Sequence, residues 1–281
     1  MEKTILIIVI NILLQFIVSA QPGISISVVT DKDTFLTLET IYIGASFKNN
    51  GGKVIKIEYP GIFFNTGIKI FNEAGENVEM LQVTITSVPF EKEVCLELQP
   101  DEEYFLVHNI SDYIVDSLQW VGIGRLTPGA YTIELSYHLD NHIIKQKKKI
   151  FVSTPYFSEK IVYEKFLEIL NRRINRVDLP PASIISAEEL LTKYPNSVYS
   201  PFISVWCDIM SSFVNKTDKF ANILLDTYPW SIYCRGYIIR QLKNLSMESE
   251  KIDILNKLKN KSEGKLMSRY YQKLINEVRS K

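Results

Sequence analysis

The sequence predicts two successive folds in one chain, an antiparallel β-sandwich and then an all-α helical repeat domain. Three observations predict this. From Ile24 to Val152 apolar residues recur at every second position, as on a strand whose successive side chains face opposite sides. After Pro155 the recurrence lengthens to 3.6, and Val162, Phe166, Ile169, Leu170 and Ile174 fall on one helical face. A 13-residue segment of the second half then occurs twice, 34 residues apart. The 281 residues leave room for two ordinary domains, placed here at 21–155 and 156–281.

Residues 1–20 read as a signal peptide. Lys3 gives a short positive start, an apolar run extends from Ile5 to Val18, and Val18-Ser19-Ala20 supplies small residues for cleavage. The run is shorter than the roughly 20 apolar residues of a membrane span and is interrupted by Asn11 and Gln15. An uncleaved N-terminal anchor is the second reading. The expectation is an exported protein, periplasmic, cell-surface or extracellular. In that setting Cys95, Cys207 and Cys234 leave at least one thiol unpaired. Three buried small hydrophobes, or a Cys207–Cys234 bridge, both fit.

The strands succeed one another between turns. Ile24, Ile26 and Val28 alternate with polar positions, then Ile41, Ile43 and Ala45 lead to the turn Asn49-Asn50-Gly51-Gly52. Val54 to Ile57, Ile68 and Ile70, Leu81 to Ile85, Val94 to Leu98, Tyr104 to Val107, Tyr131 to Leu135 and Ile143 to Val152 continue the pattern. The segment Leu126-Thr127-Pro128-Gly129-Ala130-Tyr131 resembles the tyrosine corner of immunoglobulin-like and fibronectin-like domains. That resemblance implies a Tyr131 hydroxyl tied to backbone a few residues upstream. In the second half, Pro180-Pro181 reads as a helix stop and Ser186 with Glu189 as a capping box. Further helices are expected near 198–213, 217–227, 232–244, 249–259 and 264–279.

The duplicated segment is the most specific feature. Ala187, Leu190, Leu191, Tyr194, Pro195, Ser197 and Tyr199 recur as Ala221, Leu224, Leu225, Tyr228, Pro229, Ser231 and Tyr233. Each proline ends a helix, each serine can cap the next helix, and each final tyrosine can anchor that helix against its neighbour. The pattern resembles the repeats of tetratricopeptide-like proteins of the bacterial cell envelope, including assembly and coordination factors around the outer membrane. The resemblance covers about 187–245 and implies paired helices and a protein or peptide partner. Tyr194, Trp206, Tyr228 and Trp230 are either packing core or an aromatic platform, and Trp230 is the one expected to be exposed.

Catalytic signatures are missing from the sequence: no nucleophile elbow, phosphate loop, zinc-protease helix or dinucleotide fingerprint. His138 and His142 flank a predicted hairpin turn, and no metal or cofactor is expected. Asn109, Asn215, Asn244 and Asn260 head glycosylation-type triplets. Lys145, Lys147, Lys148 and Lys149 read as an edge strand guarded by lysines, or as an electrostatic contact with anionic lipid or polymer. Lys and Arg total 32, as do Asp and Glu, which argues against a nucleic-acid surface over the whole molecule. The balance is uneven along the chain: residues 21–155 carry 11 basic and 17 acidic groups, residues 156–281 carry 20 and 14. The expectation is an exported, non-catalytic binding or scaffold protein, with Trp230 and the lysine run as partner-binding candidates. A hydrolase with a dispersed site and an accessory subunit of an envelope complex are the alternatives.

Overall fold

A computed structural model describes residues 23–58, 66–80, 95–114, 125–139, 142–174, 180–214 and 218–280. The expected signal segment 1–20, the expected strand 81–85, the turn residues 140–141 and Asn215 lie outside the described residues.

Nine strands come first: β1 (Ile24–Val29), β2 (Thr34–Leu36), β3 (Tyr42–Asn49), β4 (Ile55–Glu58), β5 (Thr66–Phe71), β6 (Cys95–Leu98), β7 (Glu103–Asn109), β8 (Gly129–Leu139) and β9 (His142–Ser153). Seven helices come after them: α1 (Phe157–Ile174), α2 (Pro180–Lys193), α3 (Ser200–Ser212), α4 (Lys219–Thr227), α5 (Cys234–Lys243), α6 (Glu248–Lys261) and α7 (Leu266–Arg279). Among the described residues the strands form three small sheets, ordered β1-β3-β7, β2-β9-β8-β5 and β4-β6. Their ladders are antiparallel except β2 with β9, which is parallel and limited to Phe151–Ser153. The long pair β8–β9 places Tyr131 opposite Ile150 on the buried face and Glu134 opposite Lys147 on the outer one.

This arrangement corrects the expectation of an immunoglobulin-like sandwich followed by a separate all-α tetratricopeptide-like domain. The chain is a mixed α/β molecule with no closed sandwich among its described residues. Its helices share their cores with its sheets. On β3, Ile43, Ala45 and Phe47 join β5, β8 and β9 residues in one apolar cluster. The opposite face of the same sheet presents Tyr42, Phe105 and Val107 to Leu266, Met267 and Tyr270 of α7. Gly44 sits on that second face, where an added Cβ would meet the Phe105 ring at 2.6 Å and Leu266 at 3.0 Å. Leu36, at the end of β2, and Leu38, just beyond it, pack among Val162, Phe166, Tyr199 and Phe202 of the helical half. The physical reason for the misreading is that β3 buries both faces, whereas an alternating pattern records only one.

Several local expectations hold within two residues, including the five helices after residue 195. The reading of Pro180-Pro181 does not hold. The two prolines open α2 rather than stop a helix, because the first turn has no intrahelical partner for an amide that proline lacks. Ser186 therefore lies inside α2 and caps nothing. Asn49 shows how the end of β3 is fixed: its buried side chain donates to the carbonyls of Lys53 and Leu98 and accepts from the Gly51 amide.

Candidate functional site

The two copies of the duplicated segment take one local path. Tyr194 and Tyr228 amides donate to Leu190 and Leu224 carbonyls, and Ser197 and Ser231 amides to Tyr194 and Tyr228 carbonyls. The Ser197 and Ser231 hydroxyls accept from the Tyr199 and Tyr233 amides. The serines thus close the turn ahead of the helix rather than cap its first residue. Ala187, Leu190 and Leu191 are buried, and Leu224 is buried while Ala221 and Leu225 are half-buried. Pro195 is exposed; the Pro229 position is buried, and its carbonyl accepts the Tyr271 hydroxyl at 2.7 Å. The Tyr228 hydroxyl donates to the Pro195 carbonyl at 2.7 Å, linking the two copies.

The last tyrosine of each copy reaches out of the helices to the same connection between β2 and β3. The Tyr199 hydroxyl donates to the Thr37 carbonyl at 2.9 Å, and the Tyr233 hydroxyl meets the Thr40 hydroxyl at 2.8 Å. Residues 37–40 are thereby held at two points by equivalent positions of the duplication. Leu38, at φ 71° and buried, sits between them. A left-handed leucine is costly, and it persists here because its surroundings fix it from both sides.

More polar contacts line this seam. Tyr42 donates to Asp31 at 2.7 Å, and the other Asp31 oxygen accepts the Leu266 amide at 2.6 Å, at the first residue of α7. Glu39 accepts the Leu36 amide at 2.9 Å and pairs with Lys32 at 2.6 Å. Burial raises the Glu39 carboxyl above its ordinary value, although Lys32 pulls it down. Burial and then Asp31 push the Tyr42 hydroxyl up. A cavity of about 170 Å³ lies here, bordered by Asp31, Glu39, Thr40, Tyr42, Trp230 and Tyr233. Nearby, Arg235 donates to the Val107 carbonyl at 2.8 Å, Arg269 lies 4.0 Å from the centre of the Phe105 ring, and Arg269 pairs with Glu103 at 2.9 Å.

Trp230, expected to be exposed, is half-buried in this seam. Its ring packs edge-on against Tyr228 at 6.2 Å and its carbonyl accepts Tyr42. Trp206 and Tyr228 are buried, and Tyr194 is half-buried. Cys207 and Cys234 are buried and unbridged, and Cys95 is half-buried and unbridged. Burial pushes the Cys234 thiol up to about 12 and raises Cys207 further, which keeps both as thiols rather than nucleophilic thiolates. His108 is buried; burial first, then Arg235 and Lys273, lowers it to about 3 and keeps the ring neutral. His138 and His142 are exposed. Among the described residues no cluster of metal-type ligands forms. The Tyr131 hydroxyl donates to the Thr127 carbonyl at 2.9 Å, closing the Pro128-Gly129 turn as the local motif implies.

Sequence reasoning did not find Asp31, Glu39, Thr40 and Tyr42. One signal was present: Phe35, Leu36 and Leu38 put apolar groups on both parities of a short segment, which indicates burial on two sides.

The lysine run occupies a different surface. Lys145, Lys147 and Lys149 alternate along β9 with Ile143 and Phe151 on one face of the four-stranded sheet, and all five are exposed. Lys148 points to the other face and pairs with Asp33 at 2.6 Å. Opposite them on β8, Glu134 is only 7% exposed, beneath Lys145 at 3.1 Å and Lys147 at 3.3 Å. Hydrogen bonding to Lys145, then to Lys147, holds its carboxyl below the ordinary value despite burial. Lys69 on β5 flanks Glu134 from the other side and is also exposed. The exposed face therefore carries four lysines around one covered carboxylate. Among the described residues, β8 is the strand that residues 142–150 pair with.

No protein-family model matches the chain, and no curated protein is significantly similar to it. Among solved structures, the chain is similar to the sporulation control protein Spo0M of Bacillus subtilis at 14% identity and TM-score 0.28, over 54% of this chain and 56% of that one. A beta-glucosidase from Listeria innocua is matched at 13% identity and TM-score 0.25, over 47% and 16%. A family 123 glycoside hydrolase from Clostridium perfringens is matched at 10% identity and TM-score 0.27, over 51% and 32%. The chain thus spans about half of the first protein and much less of the others. At these values the likenesses carry no argument about fold or activity.

Proposed function

We propose that this chain is an exported, non-catalytic binding or scaffold protein. Its partner surface is the lysine-bearing face of the four-stranded sheet, and the partner carries negative charge. The observation that supports this is the exposure of Lys69, Lys145, Lys147 and Lys149 around a single covered Glu134. Four positive groups on a flat face, with one carboxylate already neutralised, leave a net attraction for an anionic surface. Export rests on the character of residues 1–20. Among the described residues, no helix is long and apolar enough to cross a membrane. The non-catalytic reading rests on how the acids, tyrosines and thiols of the seam are used: hydrogen bonds within the chain engage Asp31, Glu39 and Tyr42, and burial holds the thiols protonated.

Retention on an immobilised polyanion such as heparin tests the reading. The discriminating variant carries Glu134→Gln with Lys69, Lys145, Lys147 and Lys149→Gln, which neutralises the face without stranding a buried carboxylate. The wild-type chain is expected to elute at clearly higher salt than this variant. Equal elution would overturn the assignment of the surface.

A further inference from the structure

Phe151 ends the lysine face, and two more exposed rings follow within the next six residues of the chain. Phe151 is 52% exposed and shares the face of Lys145, Lys147 and Lys149. A few residues on, where β9 gives way to α1, Tyr156 is 61% and Phe157 86% exposed, their rings 5.6 Å apart and edge to face. Phe157 has φ 49°, an uncommon backbone for an aromatic residue. Ile161, one turn further along α1, is also exposed. Apolar groups of this size stay in water at a free-energy cost unless something covers them. Elsewhere, the polar groups of the seam cavity are engaged with one another. The exposed group at Ile209, Phe213 and Val214 borders residues 215–217, which lie outside the described residues.

We infer that this surface docks on a lipid bilayer containing anionic phospholipid. The inference rests on the proposed role of the lysine face and names its partner. Charge complementarity sets the occupant: the lysines meet headgroup phosphates, while Phe151, Tyr156 and Phe157 enter the interfacial zone, where aromatic rings are favoured. Phe151 and Phe157 have no polar handle, so an acidic protein would need an apolar recess for each ring. A bilayer interface receives both without one.

Sedimentation with vesicles tests this. The full chain is mixed with vesicles of phosphatidylcholine alone or with about 30% phosphatidylglycerol, at low and high salt. An apolar N-terminal segment would add equally to binding of both vesicles, so the readout is the salt-sensitive difference between them. The wild-type chain should partition about tenfold more strongly into the anionic vesicles. The charge-neutral face variant should lose most of that difference, and the double variant Tyr156→Ser, Phe157→Ser should bind both vesicles several-fold more weakly than wild type. Phe157 is exposed enough that the double variant should keep its fold, checked by its urea midpoint. If the wild-type chain shows no preference for anionic vesicles, or the ring variant binds both vesicles as tightly as wild type, the bilayer assignment is overturned. Lysine-dependent retention on heparin would then show that the anionic-partner reading survives without the lipid.

Discussion

Glu39 and Glu134 are both largely buried carboxylates paired with lysine, yet their surroundings shift them in opposite directions. Glu39 lies in the seam between strands and helices, where burial outweighs the single partner Lys32 and raises its carboxyl. Glu134 lies on the outer sheet face, where two lysines cover it and hold it low. The contrast separates two uses of polar chemistry. In the seam, polar groups join one part of the chain to another. On the outer face, lysines exceed what the chain itself neutralises, and the surplus is directed outward.

The largest effects should come from breaking the seam. Phe105→Ala empties the contact between β7 and α7 beneath Arg269, and about 3–5 kcal/mol of stability should be lost. Chemical denaturation should show the loss, while retention on heparin under native conditions stays as in wild type. Tyr199→Phe leaves the Thr37 carbonyl without its buried partner and should cost about 1–3 kcal/mol, again without moving heparin elution. An effect of either change on binding at matched folded fraction would break the separation between the two regions.

The two carboxylates sharpen it through pH. The folded-state value of Glu39 is raised, so its contribution is present below the ordinary carboxylate value of 4.5 and is lost as pH rises. That of Glu134 is lowered, so its contribution is present above 4.5 and is lost as pH falls. Urea midpoints at about pH 4 and about pH 7 should therefore move oppositely in the two glutamine variants. Relative to wild type, Glu39→Gln should gain as pH rises. Glu134→Gln should be weakest at neutral pH and converge on wild type in acid. Shifts of the same sign in both variants would contradict the assignment. The smallest effect belongs to the exposed Arg269–Glu103 pair: Glu103→Gln should cost less than about 1 kcal/mol, because a solvent-screened ion pair contributes little.

Much of this was legible in the sequence, and the part that was not has a common cause. Strand alternation, helix boundaries after residue 195 and the duplicated tyrosines all arise from local patterns. Their partners do not. Tyr199 was expected to anchor a neighbouring helix, and its ring does lie 6.1 Å from Tyr163 of α1. Its hydroxyl, however, finds a carbonyl 162 residues earlier in the chain. Nothing in the spacing of either segment specifies that pairing. The alternation of β3 likewise shows one buried face, and the second is created only when α7 covers it. Of the partner candidates, Lys145, Lys147 and Lys149 are exposed, whereas Lys148 turns to the other face and pairs with Asp33. Trp230 is drawn into the seam because its neighbour Tyr228 and the Tyr42 hydroxyl both claim it.

Hydrogen–deuterium exchange with and without heparin compares the two regions in one measurement. Added protection is expected within 129–139 and 142–153, with residues 31–42 and 228–233 unchanged. Protection concentrated at 31–42 and 228–233, with the lysine strands unaffected, would contradict the assignment and move the binding surface to the seam.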